Sequence, residues 1–389
     1  MQLSRRVIDL RPSATIAVMN RAKDMQRQGI DVISFAAGEP DFDTPDPIKQ
    51  AAIKALLAGQ TKYMPTMGDP DTRAAISAKV ARENKIPGVT ADHVGISSGG
   101  KHALYTACQC IFDLPPTGQP AHECIIPVPA WVSYRPLAEL AGATVIEVPT
   151  TVKTDFKMSP DQLRAAITPR SRMLVLNSPS NPCGTMYSES ELRALAAVVA
   201  EAVRTTAPDL TILSDEIYEK IAYGGVPHFS IGSIPEIAER VITLNGLSKA
   251  YSMTGWRIGY TTTSGPWGLK FMKAMATLQG QMTTNITSFV YPAIRTALEQ
   301  CEPETKKFCA AFKNRAEVIH ARLSRIPGVL CARPTGAFYA FPDISAHFGK
   351  TTAGGKELAS ALDFAEGLLA EQRVAAVPGE DFGGCGQNH

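Results

Sequence analysis

Lys249 is the residue of this chain best placed to act as a nucleophile. It lies in Leu244–Tyr260, LNGLSKAYSMTGWRIGY, flanked by Ser248, Ala250 and Tyr251 with almost no charge nearby. A lysine among small and aromatic residues loses its proton more readily than one in water, and the neutral amine is the form that makes a Schiff base. Arg257 follows eight positions later, so a reactive amine and a fixed guanidinium share one loop. That pairing suits an aldehyde cofactor bearing a phosphate. Taken alone, Lys249 reads equally well as a surface lysine in a connecting loop, so the elements around it must decide.

Those elements alternate in type. Strands are expected at His93–Ser97, Glu123–Val128, Thr144–Val148, Met173–Leu176, Leu210–Leu213, Val241–Leu244 and Ile258–Thr262, with helices between most of them. This is the pattern of a largely parallel sheet covered by helices. The helix expected over 189–204 is well marked: Ser188 and Glu191 form a capping box, and Leu192, Leu195, Ala196, Val199 and Val203 keep the spacing of one buried face. Further helices are expected over 13–28 from a Ser13 cap, from Asp46-Pro47 to Gly59 with Asp46 as N-cap, and near 70–84. Gly268 to about Glu299 reads as continuously helical, and a long helix follows from about 303 to Arg325. Short strands are expected at Val32–Phe35, Gly336–Phe341 and Val374–Pro378. Ligands of an open α/β sheet bind beyond the carboxyl ends of its parallel strands, and Asn181, Asp215 and Lys249 each follow such a strand. Separately, Asp215 also reads as a helix cap and Asn181 as a turn residue; together with Lys249 they read as one site.

The wording S-K-A-Y-S-M-T-G-W-R-I-G-Y resembles the cofactor-lysine signature of the class I pyridoxal-phosphate aminotransferases, of the bacterial aspartate aminotransferase type. Phe35-Ala-Ala-Gly-Glu-Pro-Asp41, Lys62-Tyr63 with Pro65-Thr66, Pro129-Ala-Trp-Val-Ser-Tyr134, Asn177-Ser-Pro-Ser-Asn-Pro182, Ser214-Asp-Glu-Ile-Tyr218 and Gly336-Ala-Phe-Tyr339 resemble that family's landmarks in its order. The resemblance spans essentially the whole chain. It implies an α/β fold of the kind called PLP fold type I: a large domain with a mostly parallel seven-stranded sheet over 46–285, and a smaller α/β domain from both termini (1–45 and 286–389). It implies Lys249 as the Schiff-base lysine, Asp215 as partner of the protonated pyridine nitrogen, and Asn181 and Tyr218 as donors to the ring's phenolic oxygen. Trp131 would lie over the ring, and Ser248, Arg257 and the amides around Gly99, Gly100 and Lys101 would hold the phosphate. A tyrosine matching Tyr63 reaches that phosphate from the neighbouring subunit in the family, which implies a homodimer with shared sites. Gly38, Lys101, Trp131 and Asn181 are the implied substrate-binding residues.

Composition excludes several other classes. Lysine and arginine number 39 against 37 acids, a net charge of +2, so no basic surplus argues for nucleic acid or an anionic membrane surface. No stretch approaches the ~20 apolar residues of a spanning helix, and although Ser4-Arg5-Arg6 opens like a twin-arginine signal, Asp9, Arg11 and Pro12 interrupt any apolar run. A cytoplasmic protein is expected. The eight cysteines include no C-x-x-C and the seven histidines no ligand spacing, so neither a disulfide framework nor a metal site is indicated. Gly95-Ile-Ser-Ser-Gly-Gly-Lys101 fits most of a nucleotide P-loop, but His102 stands where the magnesium-binding hydroxyl would be. A P-loop-like nucleotide-binding protein is therefore the alternative of another class, and a cofactor-binding regulator without turnover is a third reading.

In the subgroup this chain most resembles, a lysine directly after the Gly-Gly pair contacts the side-chain carboxylate of an acidic substrate. Lys101 occupies that place, on the first turn of a helix where the dipole disfavours a cation. The expected reaction is transfer of the amino group of aspartate to a 2-oxo acid such as 2-oxoglutarate, with an aromatic or broad-specificity aminotransferase as the alternative. In the family a further strand after Val374–Phe382 carries an arginine that clamps the substrate α-carboxylate. This chain stops at Gly386-Gln387-Asn388-His389, and Arg333 differs in motif position, so a C-terminally truncated enzyme is expected.

Overall fold

The computed structural model describes the chain except Met1, Asp9, Arg11–Ser13 and Ala37. Ser13, the expected cap of the first helix, lies outside the described residues; that helix occupies Ala14–Arg27.

Seven strands form the main sheet: β2 (Val94–Ser97), β3 (Glu123–Val128), β4 (Thr144–Pro149), β5 (Ser171–Asn177), β6 (Thr211–Asp215), β7 (Val241–Gly246) and β8 (Gly259–Thr262). They are ordered β2-β8-β7-β6-β5-β3-β4, and β8 alone runs antiparallel to its neighbours. β5, β6 and β7 are nearly all buried, as strands covered on both faces must be. Because successive side chains alternate faces, Met173, Val175, Leu213 and Ile242 enter one core with the helix Gly100–Ile111. Leu174, Leu176, Ile212 and Val241 enter the opposite core, under the helix Glu189–Thr205. The latter helix starts as its sequence dictates: the Ser188 hydroxyl accepts from the Glu191 amide at 3.3 Å and the Glu191 carboxylate accepts from the Ser188 amide at 2.7 Å.

A smaller layer joins the two ends of the chain. β1 (Ile33–Ser34) pairs in parallel with β11 (Val374–Ala375), and Val18, Ala22 and Val32 share a core with Leu369 and Ala375. β9 (Leu330–Cys331) and β10 (Pro342–Asp343) form a second two-stranded pair. Among the described residues no helix is long and apolar enough to cross a membrane.

Several expected elements are corrected. Gly336–Phe341 is not a strand: Ala337 has φ 55°, and the backbone bonds elsewhere, Thr335 N–H to the Gly184 carbonyl (2.8 Å) and Ala337 N–H to that of Ile221 (2.8 Å). The continuous helix expected from Gly268 is two helices, Gly265–Gly280 and Tyr291–Gln300. It breaks because Thr284 takes a left-handed φ of 61° and because Pro292 favours a new helix start. The helix expected from Asp46 to Gly59 occupies Asp46–Leu57, with Pro45 rather than Asp46 as its N-cap and without a side-chain cap bond. β1 and β11 are two residues each, shorter than expected, and β8 starts at Gly259 rather than Ile258, just after Arg257 with its left-handed φ of 56°.

Candidate active site

The sheet delivers its functional residues to one edge. Asn177 pairs with Asp215, Asp215 with Leu244, and Gly259 with both Ser97 and Gly246. The residues just beyond these pairs, Asn181, Tyr218, Ser248, Lys249, Arg257 and Gly100, line one cavity of about 560 Å³ together with Gly38, Lys101 and Trp131. That size suits a small organic cofactor with a small substrate. All the expected site residues except Tyr63 and Gly99 line it. Tyr63 is 89% exposed and lies outside this wall.

Lys249 donates from Nζ to the Gly38 carbonyl at 2.5 Å and stands 5.7 Å from the centre of the Phe338 ring. Burial depresses its pKa to about 8, and the Arg257 charge adds to the effect against Glu39 and Asp215. A neutral amine is therefore available near physiological pH. Covalent capture of pyridoxal phosphate by the cofactor-free protein should accelerate with rising pH around a midpoint near 8. Stopped-flow absorbance across pH 6–10 checks this, and a midpoint near an ordinary lysine's would contradict it.

Asp215 is buried at the end of β6. Its Oδ2 accepts from the Tyr134 hydroxyl at 2.7 Å and its Oδ1 from the Ile217 amide at 3.2 Å. No ion pair to it forms among the described residues, and burial raises its pKa to about 6. A carboxylate supported in this way, but without a cation, is matched to a ligand that brings a positively charged N–H.

The third region accepts an anion. Gly99, with φ 89°, opens the helix Gly100–Ile111. The Arg257 guanidinium lies so close that a Cβ on Gly99 would come 2.5 Å from its Nη2, and a Cβ on Gly259 would come 2.5 Å from the Gly100 nitrogen. Helix amides and a guanidinium converge there as a phosphate requires. Lys101 stands on the same turn, its Nζ 5.1 Å from the centre of the Trp131 ring. Burial and then the Arg257 charge lower its pKa. An amine with depressed pKa, an uncompensated buried carboxylate and a cationic helix start in one cavity fit the aldehyde, ring nitrogen and phosphate of pyridoxal phosphate.

Two residues of the quoted motifs gain a place that their types did not show. Tyr134 supports Asp215. Tyr339 enters from the 335–341 segment, its hydroxyl 2.6 Å from that of Tyr218 and accepting from Asn181 Nδ2 at 3.3 Å. Period and spacing carry no signal for either, because each reaches its partner only through tertiary contact.

Residues 30–387 match the aminotransferase class I and II family. The chain is 42% identical to an aspartate/prephenate aminotransferase of Cereibacter sphaeroides and 41% identical to an aspartate aminotransferase of Geobacillus stearothermophilus, each over 98% of this chain and 92% of the relative. Among solved structures, an aspartate aminotransferase of Rhizobium meliloti superimposes with a TM-score of 0.91 at 36% identity. That of Thermus thermophilus with maleate does so at 0.87 and 39%; both cover 98% of this chain and 92% of the other. The expected truncation is not borne out by these matches. A family match over this length also decides against the P-loop reading of Gly95–Lys101. The chain thus belongs to the class I and II aminotransferases and is a pyridoxal-phosphate-dependent enzyme of the aspartate aminotransferase type.

Proposed function

We propose that this enzyme transfers the amino group of L-aspartate to a 2-oxo acid such as 2-oxoglutarate, with Lys249 as the cofactor-binding lysine. The observation that carries the choice of donor is Lys101, which lines the cavity, is held below an ordinary lysine's pKa by partial burial and then by the Arg257 charge, and has no carboxylate partner among the described residues. A substrate side-chain carboxylate would supply that partner. The names of the Cereibacter and Geobacillus relatives and the maleate of the Thermus structure, a four-carbon dicarboxylate, support the same choice. Prephenate is a second candidate from the Cereibacter relative's name.

When bound, pyridoxal phosphate supplies a conjugated ring that takes up the electron pair left at a substrate's α-carbon. Lys249 would hold it covalently, and its Nζ, as a free base, would move the substrate's α-proton. Asp215 keeps the ring nitrogen protonated, while Asn181 and Tyr218 hold the phenolic oxygen. Ser248, Arg257 and the amides of Gly99–Lys101 hold the phosphate, and Trp131 covers the ring. The Gly38 backbone and the Asn181 amide receive the substrate. We propose a cytoplasmic homodimer, in which the exposed Tyr63 reaches the partner's phosphate.

The test is a spectral half-reaction with aspartate, glutamate, aromatic and branched amino acids. Aspartate should convert the bound cofactor fastest, and faster conversion by an aromatic donor would favour the aromatic reading. Lys101→Ser should lower kcat/KM for aspartate by about ten- to a hundredfold, the value of one charge-assisted hydrogen bond, with a smaller loss for tyrosine. Equal losses for the two would remove Lys101 from specificity.

A further inference from the structure

We propose that Tyr339 is a positioning residue that fixes the direction of the Tyr218 hydroxyl by donating its own proton to it. This rests on the reading that Tyr218 and Asn181 hold the cofactor's phenolic oxygen. The two tyrosine hydroxyls are 2.6 Å apart, and Asn181 Nδ2 donates to the Tyr339 oxygen at 3.3 Å.

Proton counting determines the direction. Only one hydrogen lies between two hydroxyl oxygens at that distance, and each hydroxyl has a single proton to give. If Tyr218 spent its proton on Tyr339, it would present only lone pairs to an anionic phenolic oxygen, and the contact would be repulsive. If Tyr339 donates instead, the Tyr218 proton is free to face the ring, and the chain Asn181 to Tyr339 to Tyr218 runs in one direction with each bond polarising the next. Asn181 favours this arrangement, because its amide N–H occupies one lone pair of Tyr339 and leaves the Tyr339 proton to be given elsewhere.

The surroundings hold the hydroxyl in place. A Cβ added to Gly38 would lie 2.8 Å from the Tyr339 oxygen, so the loop closes that side, and the Tyr339 ring lies tilted against Phe338 at 4.8 Å and meets Tyr218 edge-on at 5.7 Å. Among the described residues Asp215 and Tyr134 are the titratable groups that act on the pair, and Lys249 lines the same cavity. Burial raises the pKa of both Tyr218 and Tyr339, so both keep their protons through the working pH range. The residue comes from the 335–341 segment, whereas Asn181 and Tyr218 follow β5 and β6. The hydroxyl chain therefore ties that segment to the sheet edge.

The experiment uses holoenzyme carrying Tyr339→Phe, Tyr218→Phe, or both, and reads the pH midpoint of the bound cofactor's visible absorbance. Phenylalanine keeps the ring packing and removes one proton. A weaker donor at the phenolic oxygen favours its protonated form, so Tyr339→Phe should raise the midpoint by about half a unit to one unit. Tyr218→Phe should raise it further, and Tyr339→Phe should add nothing once Tyr218 is already Phe. A kcat fall of several-fold with little change in KM should accompany the single Tyr339 change. A midpoint moved by Tyr218→Phe but not by Tyr339→Phe overturns the proposal and leaves the reading of Tyr218 standing. An equal effect of Tyr339→Phe in both backgrounds also overturns it, since Tyr339 would then act without Tyr218. If neither single variant moves the midpoint, the phenolic-oxygen reading itself fails, and this proposal with it.

Discussion

Lys249→Ala should lower turnover by about ten-thousandfold or more while pyridoxal phosphate remains bound. Two roles end at one atom. Nζ is both the covalent anchor and the base that moves the α-proton, and general acid–base catalysis alone contributes about 10²–10⁴-fold, with covalent catalysis in addition. Retention of the cofactor follows from the separation of the groups that hold it. Arg257, in the same loop as the amine but set against the amides after Gly99, and the buried Asp215 at the end of β6 hold the cofactor through groups that do not depend on the amine. The measurement pairs kcat for aspartate with cofactor stoichiometry after dialysis. A small primary amine added to the variant should restore part of the proton-transfer rate. Near-normal turnover would remove Lys249 from the mechanism, and loss of the cofactor would show the covalent bond to be its main anchor.

The second large effect has two opposite signs. Asp215→Asn should reduce turnover by at least about a hundredfold, because a neutral amide cannot hold a proton on the ring nitrogen. It should nevertheless make the cofactor-free protein more stable at pH 8. The carboxyl titrates near 6 in the fold against an ordinary 3.8, so the folded state binds the proton more tightly than the unfolded chain. Its charged form costs the cofactor-free fold about 3 kcal/mol above pH 6, and that cost fades as the pH falls from 6 towards 3.8. Asparagine retains a carbonyl for the Ile217 amide and an N–H for the Tyr134 hydroxyl, and carries no charge to desolvate. Thermal unfolding of both cofactor-free proteins should show the variant melting higher at pH 8 and the difference vanishing near pH 4. A variant that melts lower at pH 8 would mean that the hydrogen bonds from Tyr134 and Ile217 outweigh the desolvation of the charge.

These two changes bear on residues already visible in the chain as letters, and the reason is local. Ser188 and Glu191 cap the helix Glu189–Thr205 through groups three residues apart, and the run Thr211–Asp215 is buried on both faces because the helices that cover it are written into the same alternation. Period, caps and buried runs are short-range properties, and they placed all seven strands of the main sheet and, through the rule that ligands meet the carboxyl ends of parallel strands, the cavity edge as well. Three of the boundaries that moved did so where backbone conformation departs from regular periodicity: Ala337, Thr284 and Arg257 all have positive φ, which no hydrophobic pattern announces.

By itself, then, the sequence determined the sheet, its flanking helices, and the candidates Lys249, Asp215, Asn181, Lys101 and Arg257, because each depends on residue type and on position relative to one strand. Tertiary structure alone decided what those candidates touch. Tyr134 reaches Asp215 across 81 positions, Tyr339 reaches Tyr218 across 121, and Lys249 meets the Gly38 carbonyl across 211. Such contacts, and the burial that moves Asp215 to about 6 and Lys249 to about 8, arise only when distant segments exclude water from the same small volume.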